Sequence, residues 1–286
     1  MKNSKNNPFQ VVRNAVNTIF ANKAILFPFS IILFTQFLIL EICFFIPQYP
    51  LVEFFGPIIR AFYSEQYLHY PANLLLLPQL CQIAQIPVFI FLSSYCIGFA
   101  VSIIAAINEG KPVEVKKLAR DTFGQYIHLV LATLLTYLLV TGGFKIFQLV
   151  YERALEIRST SGKFFLLKMS VIQGAPYINL LISVFFSALM AYLIPIIILE
   201  KKKIIAALIG NFKTFFKAPF FTFSIIFIPS IFYVPVLLLR HNLSTIATFP
   251  ELSVILIILS LFILFIIDSI VYTSLTTYYL VKKEDK

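Results

Sequence analysis

Six apolar runs, each longer than the roughly 20 residues a helix needs to cross about 30 Å of hydrocarbon, constrain this chain more than any other feature. They extend over Ala24–Ile46, Ile86–Ile107, Tyr126–Phe147, Ala175–Leu199, Ala218–Leu239 and Leu252–Val281. Only 13% of the 286 residues are charged and 59% are hydrophobic, with a mean hydropathy of +0.90. A soluble domain needs more charge to stay dispersed, so lipid is the expected solvent. Backbone N–H and C=O groups in lipid must be satisfied within the segment. The runs therefore read as helices, and the chain as an all-α, polytopic membrane protein with six transmembrane helices in one transmembrane domain, 1–286. The first run follows a polar, basic stretch but carries no small-residue cleavage signal, so it reads as an uncleaved anchor.

Net charge is +10, which in a soluble protein would raise nucleic-acid binding. Here the basic residues sit in short connections, where they set topology and meet anionic lipid headgroups; no nucleic-acid partner is expected. Four Lys and Arg precede the first run (Lys2, Lys5, Arg13, Lys23), four follow the second (Lys111, Lys116, Lys117, Arg120), five follow the fourth (Lys201, Lys202, Lys203, Lys213, Lys217), and three end the chain. These 16 lie on one side, against 7 on the other: Arg60, Lys145, Arg153, Arg158, Lys163, Lys168 and Arg240. The positive-inside rule then puts both termini in the cytoplasm. Tyr49, Tyr126, Tyr177, Tyr278 and Tyr279 fall near the ends of the runs, as interfacial aromatics do. Two connections, Pro47–Gln85 and Lys145–Gly174, are expected to lie along the membrane; Phe54, Ile58, Ile59 and Phe62 give the first an apolar helical face. The polar-dotted stretch Leu74–Gln85, with Pro78, Gln79, Gln82 and Gln85, is assigned there too.

A basic amphipathic segment precedes the first, third and fifth runs: Pro8–Lys23, Pro112–Gln125 and Lys203–Lys217. Each reads as an interfacial helix whose apolar stripe, such as Phe9, Val12, Val16, Ile19 and Phe20, enters the acyl boundary. Three repeats follow, 8–107, 112–199 and 203–281, each an interfacial helix plus a transmembrane hairpin.

Pro195-Ile-Ile-Ile-Leu-Glu200, Ile204-Ile-Ala-Ala-Leu208 and Asn211-Phe-Lys-Thr-Phe-Phe-Lys217, with Asn108-Glu-Gly-Lys-Pro112 after the second run, carry a resemblance. They resemble a signature of bacterial six-helix inner-membrane proteins, which include the YciC-like family and the membrane domain of some glycerophosphodiester phosphodiesterases. Glu200 and Asn211 occupy the family-like positions, Asn211 where that family often has Ser. The resemblance implies a bacterial cytoplasmic (inner) membrane protein, and it imports no phosphodiesterase chemistry, which belongs to a separate soluble domain.

Asp268 is the sharpest single residue, a carboxylate inside the last run. Its insertion cost of roughly 2.5–3.5 kcal/mol is offset by the 16 Leu, Ile, Val and Phe between Leu252 and Val271. Ser269, Tyr272 and Thr273 flank it at helical spacing, and the four form a candidate intramembrane polar site directed into the bundle. Gln36 and Glu41 in the first run are weaker candidates, and Glu200 beside Lys201–Lys203 reads as a local ion pair or a helix-end anchor. Ser94, Gly98, Ser102 and Ala106, and likewise Ser183, Ser187 and Ala191, recur every four residues and read as helix-packing faces. Pro229 and Pro235 are positioned to kink the fifth run. Cys43, Cys81 and Cys96 suit small buried hydrophobes and make no framework. His69, His128 and His241 have no acidic neighbour, so no metal, cofactor or catalytic residue is expected. Asp268 stands almost alone as an intramembrane polar group, which favours a non-catalytic protein that scaffolds or modulates an envelope process, through a membrane-protein partner or as a homo-oligomer. The alternative is a small-molecule or lipid transporter or permease component.

Overall fold

The computed structural model describes residues 7–157, 162–241 and 248–284. Lys2, Lys5, Arg158 and Lys286, which entered the charge count, lie outside the described residues, as does the side chain of His241. The described chain is helical and carries no strand. Six helical stretches are long and apolar enough to cross a membrane: Lys23–Phe45, Ala72–Asn108, Tyr126–Glu156, Gly162–Glu200, Pro219–Arg240 and Leu252–Lys283. The protein is an all-α, multi-pass membrane protein, and six crossings bring both termini to one face. That face is called the terminal face below, and the opposite one the far face.

Each short basic segment is a helix separated from its span by non-helical backbone. Helix α1 (Pro8–Ala21) starts on Asn7, whose side chain accepts the Phe9 N–H at 3.0 Å with Pro8 in the first turn, a fit of cap and ring to the orphan donors of a helix start. It ends at Asn22, and α2 (Leu26–Phe45) follows a 3-10 turn at Lys23–Ile25. Ala15 and Ile19 bury one side of α1 against the bundle, while Phe9 and Phe20 remain exposed. Helix α3 (Leu51–Phe62) covers the far end; its Ile59 packs inward and Phe54, Ile58 and Phe62 face out, so the four split between two surfaces.

Leu74–Gln85 is not a separate interfacial stretch. It belongs to α4 (Ala72–Pro87), which continues through a π-helical turn at Val88–Ser93 into α5 (Ser94–Asn108). Pro87 lacks an N–H and would clash with the preceding turn in a regular α-helix, and the widened turn follows it directly. After α6 (Val115–Phe123) comes α7 (Tyr126–Glu156), paired with α8 (Gly162–Leu189). At 1.5 Å per residue the 31-residue α7 is about 46 Å long, so the described parts of Lys145–Gly174 continue α7 to Glu156 and begin α8 at Gly162, as outer arms of those helices instead of a loop laid on the surface. No proline interrupts α7, and Gly143 lets it approach α8: a Cβ there would overlap the Phe186 ring and reach 2.8 Å from Ile182. Tyr177, read as a span-end aromatic, consequently sits well inside α8.

Helices α9 (Leu193–Glu200), α10 (Ile204–Phe215), α11 (Pro219–Ser230), α12 (Val234–His241) and α13 (Leu252–Glu284) complete the chain. Lys201, in the left-handed region at φ 49°, ends α9, and a 3-10 turn at Ile231–Tyr233 separates α11 from α12. Two buried clusters result. The larger one, toward the terminal face, joins Ile25, Phe29, Ile104, Leu129, Ile197 and Leu275; the smaller, toward the far face, joins Leu40, Cys43, Ile59, Leu77, Cys81 and Ile257. All three cysteines are free and buried.

Candidate functional site

Residues of all six spans line one cavity of about 1080 Å³. Its wall is apolar for the most part, with polar groups converging from every side. Gln36 comes from the first span, Gln82, Gln85 and Ser93 from the second, Thr136, Thr141 and Gln148 from the third. The fourth adds Asn179, the fifth Ser230 and Arg240, and the sixth Asp268 and Tyr272. Asp268 therefore does not stand alone, as its isolation in sequence implied. Sequence distance hides which faces of six helices meet.

Three of the spans break their α-helical pattern at this wall. The π-helical turn of the second places Phe89 and Ser93 there, the turn between α8 and α9 places Met190 and Ala191, and the 3-10 turn of the fifth brings Ser230 and Tyr233. Non-helical backbone at membrane depth is tolerated only where protein satisfies it or it lines a cavity. Asn211 of α10 does the first for the α8–α9 break. Fully buried, it accepts the Tyr192 N–H at 3.0 Å and donates to the Leu189 carbonyl at 2.7 Å. This gives a physical role to one family-like position. The other, Glu200, sits at the terminal face, accepts a bond from Tyr279 Oη at 2.6 Å and pairs with Lys202 at 2.6 Å and Lys283 at 3.9 Å.

Asp268 occupies the middle of the 33-residue α13 and turns its carboxylate to the cavity, with no cation within 4.0 Å among the described residues. Tyr272, one turn on, lines the same wall and stacks on Phe29 with ring centroids 6.3 Å apart. Ser269 and Thr273 do not join them. Both are buried in helix packing and donate to their own helix, Ser269 to the Phe265 carbonyl and Thr273 to that of Ser269, each at 2.7 Å. Residues one position away on a helix point about 100° aside, which separates these two from the cavity face.

The two rows of small residues also part company. Ser94, Gly98, Ser102 and Ala106 pack as a spacing of four suggests: a Cβ on Gly98 would come within 2.7 Å of Leu129, and Ser102 shares a 2.9 Å bond with Thr122 of α6. Ser183, Ser187 and Ala191 instead line the cavity. Spacing identifies residues on one face, not what that face meets. Glu41 is exposed on the far half of α2, outside the cavity, whereas Gln36 lies on its wall.

Arg240 went unrecognised in the sequence, where it counted only as a charge outside the fifth run. Its guanidinium donates to Ser260 Oγ at 2.9 Å and to Tyr233 Oη at 3.4 Å, so it bends inward to α13. The available signal was its place as the one Lys or Arg between Lys217 and Lys282. Asn179, near the start of the fourth run, left a weaker trace.

At the far face, Tyr70 Oη donates to Glu251 at 2.5 Å, joining the connection before α4 to the start of α13. The bond and the adjacent negative charge raise the Tyr70 pKa, and the same bond lowers that of Glu251. His69 is exposed, and His128 Nδ1 is buried in α7 without a hydrogen-bond partner among the described residues. No family model matches the chain, and no curated protein or solved structure matches it.

Proposed function

We propose that this protein is a carrier that binds a small amphiphilic molecule in the cavity between its spans, acting by binding and displacement without making or breaking covalent bonds. The observation that carries this reading is the convergence of polar side chains from all six spans on one largely apolar cavity. A carrier needs such a space near mid-bilayer, commonly beside interrupted helices. The volume is of the size of small-molecule sites, and the mixture of apolar wall with a few amides, hydroxyls and two charges suits a ligand with both a polar and an apolar part. This reading takes the transporter class over the scaffolding one, since the main support for the latter was the isolation of Asp268.

The host membrane in this proposal is the bacterial cytoplasmic membrane, supported by the resemblance to six-helix inner-membrane proteins. Both termini lie in the cytoplasm, supported by the split of basic residues, with α1, α6 and α10 meeting anionic headgroups there. The cavity reading is tested by native mass spectrometry of protein purified from its own membranes. Ser187→Trp fills the wall, and Ile205→Trp on an exposed face is its control. A bound amphiphile is expected in the wild type and the control and not in the Ser187 variant. Equal occupancy in all three, with equal thermal stability, would refute it.

A further inference from the structure

Resting on that reading, we propose that the cavity selects an amphiphile whose head group is an anion, phosphate or carboxylate, and that Arg240 receives it. Among the described residues, Arg240 and Asp268 are the two charged side chains on the cavity wall. Arginine at the end of a span ordinarily extends its charge outward to the headgroup layer. Arg240 is held inward instead, by two neutral hydroxyls, those of buried Ser260 and of Tyr233. No carboxylate lies within 4.0 Å of it among the described residues, and the two hydroxyls occupy two of its five N–H donors, which leaves three donors and the positive charge without a partner among those residues, on a side chain that lines the cavity. A planar fork of donors in a region of low dielectric is matched by an oxyanion.

Asp268 fixes the direction of binding. Ser260, which holds the guanidinium, precedes Asp268 by eight residues on α13, which puts the two levels about 12 Å apart along the helix axis. An anion therefore finds a charged fork of donors at the Ser260 level, whereas the Asp268 carboxyl has at most one proton to donate, so the Ser260 level is the better seat for it. Between and around these levels the wall is formed by apolar side chains such as Phe144, Phe147, Leu180, Leu237 and Phe265, which suit an acyl chain. Gln82 and Gln85 add amide donors to the same space.

The test uses the full-length protein in nanodiscs and equilibrium binding of hexadecyl phosphate, hexadecanol, hexadecylamine and inorganic phosphate. Wild-type protein is expected to hold hexadecyl phosphate at least about ten-fold more tightly than hexadecanol, the usual scale of a hydrogen bond to a charged group. Arg240→Gln should erase that margin by weakening hexadecyl phosphate far more than hexadecanol, while Arg240→Lys should keep part of it. Should the glutamine variant fail to fold, the wild-type ratio decides by itself. Equal binding of phosphate and alcohol, or preference for the amine, overturns the head-group inference while the cavity reading stands. Inorganic phosphate competing as well as hexadecyl phosphate overturns the acyl part, leaving a free anion as the ligand. Failure of all four probes, together with no effect of Ser187→Trp on their binding or on co-purified material, takes down the cavity reading on which the inference rests.

Discussion

Replacing Asn211 by Ala removes both partners of the α8–α9 break at once. The Tyr192 N–H loses its acceptor and the Leu189 carbonyl its donor, at a site where Asn211 is fully buried. Leaving a buried backbone group unpaired costs about 1–3 kcal/mol, so two give about 2–6 kcal/mol. Hydrogen bonds between membrane helices measure toward the low end, because the unfolded chain in a bilayer also finds partners. The expected loss is therefore about 2–4 kcal/mol. Thr214→Ala, on the same helix, removes a hydroxyl bonded to its own Gly210 carbonyl at 2.8 Å and should cost under about 0.5 kcal/mol, since such back-bonding gives a helix little. Asn211→Ser and Asn211→Asp separate the two bonds further: the aspartate still accepts from Tyr192 but cannot donate to Leu189. The assay is equilibrium unfolding in mixed detergent micelles, followed by circular dichroism. Because the break sets Met190 and Ala191 on the cavity wall, ligand occupancy should fall with stability. An Asn211→Ala variant within about 0.5 kcal/mol of wild type would show that the break stands without its cap.

Gly143→Ala should destabilise the α7–α8 hairpin by about 1–3 kcal/mol through overlap with Phe186, while Gly142→Ala, with nothing within 4 Å, should be neutral or stabilising; equal melting temperatures would count against the close approach. Asp268→Asn should leave folded yield at or above wild type, because the carboxylate has no ion pair within 4.0 Å to lose among the described residues, and a sharp fall in yield would reveal a structural bond. The Tyr70–Glu251 link has a pH window: the depressed Glu251 supports it above the free carboxyl value of about 4.3, losing it as pH falls through the lower bound value, and the raised Tyr70 supports it below about 10, losing it as pH rises through the higher one. Phenolate absorbance should therefore show a tyrosine titrating above about 10 that returns to normal in Glu251→Gln. Reporter fusions after Lys286 and within Lys111–Arg120 should both report cytoplasm, and either one outside would reverse the orientation.

Length and hydropathy alone determined that this chain is helical and crosses a membrane six times, because lipid offers backbone groups no other partner and about 20 apolar residues are needed per crossing. The three short basic helices were legible for a related reason, since amphipathic, basic stretches of 14–16 residues are too short to be spans. The candidate site was legible only in fragments. Asp268 was conspicuous as a charge among aliphatic residues, but Ser269 and Thr273 were grouped with it by proximity in sequence although the helix turns them away. Ser183, Ser187 and Ala191 looked like a packing stripe, and nothing in their spacing distinguishes a face against a neighbour from a face against a space. Arg240 bears on the cavity because α12 bends toward α13, and Asn211 matters because α8 breaks within reach of α10. Those relations depend on how six similar apolar cylinders are rotated and broken against one another, and that is decided by packing among residues far apart in the chain.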